Sequence, residues 1–237
     1  CIRDRAGLTA TPAVLDSLEA LPRTLQVEVA PAGKKREIPN GMQQSVPGVM
    51  VMFTLLIMTT SGAVLLVIER RRGLLRRLAA TPIPRTGVVL GKWGAKFCLG
   101  LIQIASAMVM AMLPPFNIDW GANLLAMIAV MFWYGAFMAA VGMLLGSLSR
   151  TEGTATAIGV ISANVMGALG GCWWPIEVVP DWMQSLALFL PTGWAMDAMH
   201  RLVSFGAPAS AAVPHVLGLS VVALITGWLA TRVFRFQ

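Results

Sequence analysis

The chain has 237 residues, 57% hydrophobic and only 12% charged, with a formal net charge of +7. Soluble domains carry roughly 25% charged residues, so this composition excludes a single water-soluble core and indicates an integral membrane protein. The excess positive charge lies beside apolar runs, where it encodes topology, and it does not indicate a nucleic-acid partner.

Residues 1–45 are polar and of mixed charge, and read as a partial extracytoplasmic domain. "TPAVLDSLEAL" predicts a short helix with Thr11 as N-cap and Pro12 at its first position. "TLQVEVA" alternates apolar and polar residues, as a strand does. The domain after it, 46–237, is predicted to be all-α and polytopic, with five spans at about 46–68, 88–113, 123–148, 155–174 and 213–230. Lys92 and Lys96 lie near the start of the second run, placed to snorkel to the interface. The apolar piece "WMQSLALFL" is too short to cross and is bounded by prolines, which predicts an outer re-entrant or interfacial segment over about 175–200. Trp173, Trp174, Trp182 and Trp194 suit the headgroup belt there, and the segment serves either as an anchor or as a gate.

Lys and Arg fall mainly on one side: the 69–87 loop, the start of the second run, Arg150, Arg232 and Arg235. Asp119, Glu177, Asp181 and Asp197 fall on the other with Arg201. The basic side is therefore expected in the cytoplasm, and the N-terminal polar part outside. A polar segment placed outside calls for a further span upstream. The expected total is six spans, of which the first is absent, in a multi-pass protein of the inner (plasma) membrane.

The densest charge is in "ERRRGLLRRLAATPIPRTG", residues 69–87. Read as one helix, it sets Leu74, Leu75 and Leu78 on one face and covers the rest with Arg70, Arg71, Arg72, Arg76 and Arg77. Pro82 and Pro84 stop it. Glu69 is placed to pair with Arg72 or with backbone donors near Gly73. The segment suits either a topology anchor on anionic lipid or a docking helix for a cytosolic partner.

Here the sequence resembles the ABC-2 type transporter permeases. The matching features are Glu69 at the end of a span, then Gly73-Leu74, Leu78, Thr81-Pro82, and Gly91-Lys92 entering the next. A second match follows in Gly170-Gly171, Trp174-Pro175, Pro180-Asp181-Trp182 and Pro191. The resemblance implies an ABC-2 permease fold and a dimer of permease copies, each bound to an ATPase subunit. It implies a coupling helix at about 69–81 that involves Glu69, Arg70, Arg72, Gly73, Leu74, Arg76, Arg77, Leu78, Thr81 and Pro82. It also implies an outer gate at Gly171, Trp174, Pro175, Pro180, Trp182 and Pro191.

No P-loop is present in this sequence: "GVVLGKW" has the wrong spacing and puts Trp93 where a hydroxyl is needed. ATP and magnesium are therefore expected on the partner ATPase, with no cofactor and no catalytic site on this chain. Asp197 and His200 share a helical face without a metal-ligand set around them, and Cys1, Cys98 and Cys172 form no CxxC pair, so no metal is expected. Gly142/Gly146 and Gly167/Gly171 have GxxxG spacing, for packing within the chain or for a dimer contact. Gln103, Asn123, Asn164, Thr59 and Thr60 are the polar residues in or at the spans. So few buried ionisable groups favour an amphipathic, drug-like or lipid-like export substrate. The other class considered is a non-transporting membrane scaffold or a membrane enzyme, which would need polar catalytic clusters that the runs lack.

Overall fold

The computed structural model describes residues 41–114, 116–118 and 120–234, all within one compact unit. The N-terminal helix and strand expected from sequence, with Asp119 and Arg235, lie outside the described residues.

Among the described residues there are eight α-helices: α1 Met42–Arg71, α2 Leu74–Ala79, α3 Arg85–Met112, α4 Leu124–Leu148, α5 Glu152–Leu169, α6 Asp181–Ala187, α7 Pro191–Val203 and α8 Val213–Val233. Short 3₁₀ turns precede α4, α6 and α8. By length and composition α1, α3, α4 and α8 can each cross a membrane. At 1.5 Å per residue the 18 residues of α5 extend about 27 Å. The fourth apolar run was expected to reach residue 174, but its helix stops at Leu169. The Cys172 N–H donates to the Gly167 carbonyl at 2.9 Å and that of Gly171, at φ +82°, donates to Ala168 at 3.4 Å. This is a Schellman end, which needs a left-handed residue where the sequence supplies glycine.

Helix α4 is the centre of the bundle. It packs on α1 along one side and on α8 along another, while α5 lies on the far side of α1. Over half of its spanning window, 56%, is buried, against 17% for α8. Lipid tails are as apolar as leucine, so spanning helices associate through close packing of small residues. The seam shows it: a Cβ added at Gly142 would stand 2.5 Å from the Met58 carbonyl oxygen, and one at Gly146 2.8 Å from that of Ala63. The Gly142/Gly146 pair thus serves packing within the chain, against α1. From α5, Gly159 meets Thr60 in the same way, at 2.9 Å. Above the glycines the Tyr134 hydroxyl donates to the Val51 carbonyl at 3.3 Å. Helix α3 joins α4 through aromatic side chains: Trp93 stacks on Phe97, Phe97 meets Phe132 edge-on, and the Trp93 indole donates to the Ala136 carbonyl at 3.1 Å.

The polar residues expected in or at the spans are not all consumed locally: the buried Thr60 hydroxyl has no hydrogen-bond partner among the described residues. Thr59 donates to Leu55 and Asn164 to Val160, each one turn back on its own helix. Asn123 ties the start of α4 to the Ala207 carbonyl at 2.9 Å.

Gly142→Ala is expected to cost about 1–3 kcal/mol by overpacking the seam. It should lower the thermal midpoint of the solubilised protein. Gly153→Ala, where a new Cβ meets nothing within 4 Å, should leave the midpoint unchanged or raise it slightly. Equal midpoints for both variants would contradict the seam.

Candidate functional site

The 69–87 segment is two helices and a corner, not the single amphipathic helix expected. Helix α1 runs through the first arginines to Arg71, and Gly73 then takes φ +73° and ψ +8°. That left-handed step costs a non-glycine residue roughly 1–2 kcal/mol, so the glycine sets the break. Helix α2 follows for six residues and ends before the prolines, with the Thr81 hydroxyl on the Leu78 carbonyl at 2.6 Å. Pro84, extended at φ −64° and ψ 149°, caps α3.

The break re-aims the leucines. Leu75 is fully buried among Leu66, Val88, Val89, Met143, Ala230 and Phe234, and Leu78 packs at the edge of that cluster. Leu74, expected on the same face, is 41% exposed. Burying Leu75 contributes about 1.5–3 kcal/mol and seats the corner on α1, α3, α4 and the end of α8.

The charges also divide. Glu69 pairs with Lys92 of α3, not with Arg72 or the Gly73 backbone, and both side chains are 20% exposed. The pair bridges the two helices that flank the corner. It also means that Lys92 is held in the groove beside α1. Gly91-Lys92 itself lies within α3, where it forms no phosphate-cradling loop. Arg70 turns inward and donates to the Ser149 carbonyl at 2.9 Å and the Gly146 carbonyl at 3.3 Å, at the negative end of α4. Arg71 reaches Glu152 at the start of α5 at 3.5 Å, an exposed pair worth about 0–1 kcal/mol. Arg72, Arg76 and Arg77 are exposed and form no ion pair among the described residues. Thr81 and Pro82 are exposed beside them.

At the opposite end of the bundle, residues 171–203 form a folded cap. The Gly171 carbonyl accepts from Gln44 of α1 at 2.9 Å. Trp173 and Trp174 meet edge-on, centroids 5.7 Å apart, and Pro175 leads the 3₁₀ turn Ile176–Val178. Pro180 precedes α6, which carries Trp182 at 65% exposure, and Pro191 opens α7. Neither α6 nor α7 is long enough to span, and α7 buries Met196 and Met199 completely against α1 and α4. Sequence spacing linked Asp197 to His200. In the structure Asp197 pairs with Arg201 at 2.7 Å and with His215 of α8 at 2.8 Å. The Asp197–His215 contact ties α7 to α8 and joins residues 18 apart, beyond any helical periodicity. No group of three or more His, Cys, Asp or Glu side chains has metal-binding geometry among the described residues.

A basic corner lies at one end of the helical bundle and a folded aromatic cap at the other, and helices long and apolar enough to cross a membrane make this a multi-pass membrane protein. The chain belongs to the ABC-2 family of transporter proteins, whose family model matches residues 6–232. The linearmycin resistance permease protein LnrN of Bacillus subtilis (strain 168) is 28% identical over 173 residues, covering 73% of this chain and 43% of that protein. A second Bacillus subtilis (strain 168) chain, YvfS, which carries a provisional transport-permease name, is 36% identical over 69 residues, covering 29% of this chain and 28% of its own length. This chain therefore spans less than half the length of either relative. No solved structure matches it.

Two measurements test the corner. Leu75→Ala should cost about 2–5 kcal/mol and Leu74→Ala almost nothing, compared by thermal midpoint in detergent; equal costs would contradict the break at Gly73. Lys92→Glu should destabilise the chain by setting two carboxylates together, and adding Glu69→Lys should restore it, with a coupling of about 1–3 kcal/mol in the double-mutant cycle.

Proposed function

We propose that the chain is the transmembrane permease subunit of an ATP-binding cassette exporter driven by a separate ATPase subunit. The observation that carries this is the division of labour among the arginines. Arg70 and Arg71 are spent on the α4–α5 connection, while Arg72, Arg76 and Arg77 are displayed outward on a corner that Leu75 and the Glu69–Lys92 pair lock to α1 and α3. A force applied to α2 therefore reaches two spanning helices at once. The corner, with Gly73, Leu74, Leu78, Thr81 and Pro82, docks in the ATPase on the cytoplasmic side. ATP and magnesium act on that partner.

The cap at the other end, with Gly171, Trp174, Pro175, Pro180, Trp182 and Pro191, serves as the outer gate, and a second permease copy completes the pathway. The cargo is amphipathic, drug-like or lipid-like. This is supported by spans whose polar groups mostly bond within their own helices, and by the name of the LnrN relative, which is that of a resistance permease.

The double variant Arg76→Glu/Arg77→Glu tests the reading. It should weaken co-purification with the ATPase by about tenfold or more and abolish ATP-driven transport in vesicles, while the thermal midpoint of the permease stays within about 0.5 kcal/mol of wild type, as for surface substitutions. Undiminished association and coupling would overturn the docking role.

A further inference from the structure

Between α1 and α3, just above the corner, lies a groove of about 110 Å³. Its walls are apolar, from Leu65 and Leu66 of α1, Leu99 of α3 and Met143 of α4. Its floor carries Glu69, Lys92 and Lys96. Glu69 and Lys92 neutralise one another. Lys96 is half-buried, lies one turn further into α3, and has no ion-pair partner among the described residues. It stands eleven residues after Arg85, about 16 Å along the helix. An ionisable group held among apolar side chains on a spanning helix is costly without a counter-charge.

We infer that this groove binds the phosphate of an anionic phospholipid from the surrounding bilayer, with Lys96 as its principal contact and Lys92 beside it. Three features select that occupant. The site carries one positive charge in excess, so it favours an anion. Its volume suits a headgroup and falls short of the ~300–1,000 Å³ of pockets that enclose a drug-sized molecule. Its mouth is flanked by Leu65 and Leu99, 50% and 59% exposed, so acyl chains lie against the outer wall while the phosphate enters sideways. Basic pockets between spanning helices recognise anionic headgroups in this way. Because the groove contains the Glu69–Lys92 pair, a bound lipid braces the joint between α1 and α3. The inference does not depend on the export reading.

Native mass spectrometry of the purified full chain, titrated separately with phosphatidylglycerol and phosphatidylcholine, tests it. Wild type should hold phosphatidylglycerol about tenfold more tightly, the scale of one charge contact. Lys96→Gln should remove that preference and Lys96→Arg should keep it. Ala95→Trp, which fills the groove without altering charge, should also remove it and keeps the test decisive if Lys96→Gln does not fold. A phosphatidylglycerol preference that survives both Lys96→Gln and Ala95→Trp would overturn the inference, as would equal retention of the two lipids by wild type. A third titration with oleate separates the sources: if oleate alone binds in a Lys96-dependent way, the groove takes a carboxylate cargo and the bilayer-lipid assignment fails.

Discussion

The closeness of α1 to α4 and α5 is the constraint on which the rest of the structure depends. In a bilayer no hydrophobic gain rewards one helix for touching another. Contact must come from backbones brought near enough for dispersion to accumulate over many atoms. Gly142, Gly146 and Gly159 allow that approach, and a single added methyl group at any of them would meet α1 at under 3 Å. With α1 fixed in this seam, its two ends are fixed as well: Gln44 reaches the turn after α5, and Glu69 faces α3.

The corner at residues 69–85 assigns rigidity and display to different residues. One buried leucine, one half-buried ion pair and one arginine on the end of α4 hold it, while three arginines remain outward. A uniform amphipathic helix lying on the membrane would spread those roles along its length and couple weakly to the spans. A six-residue helix set off by a left-handed glycine and closed by two prolines has little internal freedom, and its buried leucine ties it to α1 and α3.

The far end follows another logic. There the chain cannot cross between its prolines, so it folds back as two short helices, and the longer is gripped inside the bundle by Met196, Met199 and the Asp197–His215 contact. Aromatic side chains stay at its surface, Trp182 and Trp173 among them. Rigid attachment beneath and an aromatic rim above are what a segment needs if it is to rest at the membrane face and move as one piece.

Much of this was legible in the chain itself. Runs of some twenty apolar residues anticipated the long helices α1, α3, α4 and α8, because the bilayer admits few ways to satisfy a backbone, whereas α5 ends at Leu169, short of its apolar run. The Glu69, Gly73, Thr81-Pro82 and Gly91-Lys92 pattern marked the corner. Helical periodicity could not tell that Gly73 breaks the arginine helix, since a face drawn across it assumes a continuous backbone; that misplaced Leu74. Nor could it tell which partner each charge takes. Glu69 with Lys92, Arg70 with the end of α4, and Asp197 with His215 join residues 18 to 79 positions apart. Such pairs exist only once the glycine seam has set the helices side by side. Local composition thus determined where the chain crosses and turns, and tertiary packing alone decided which charges are spent inside the protein and which are left to meet something else.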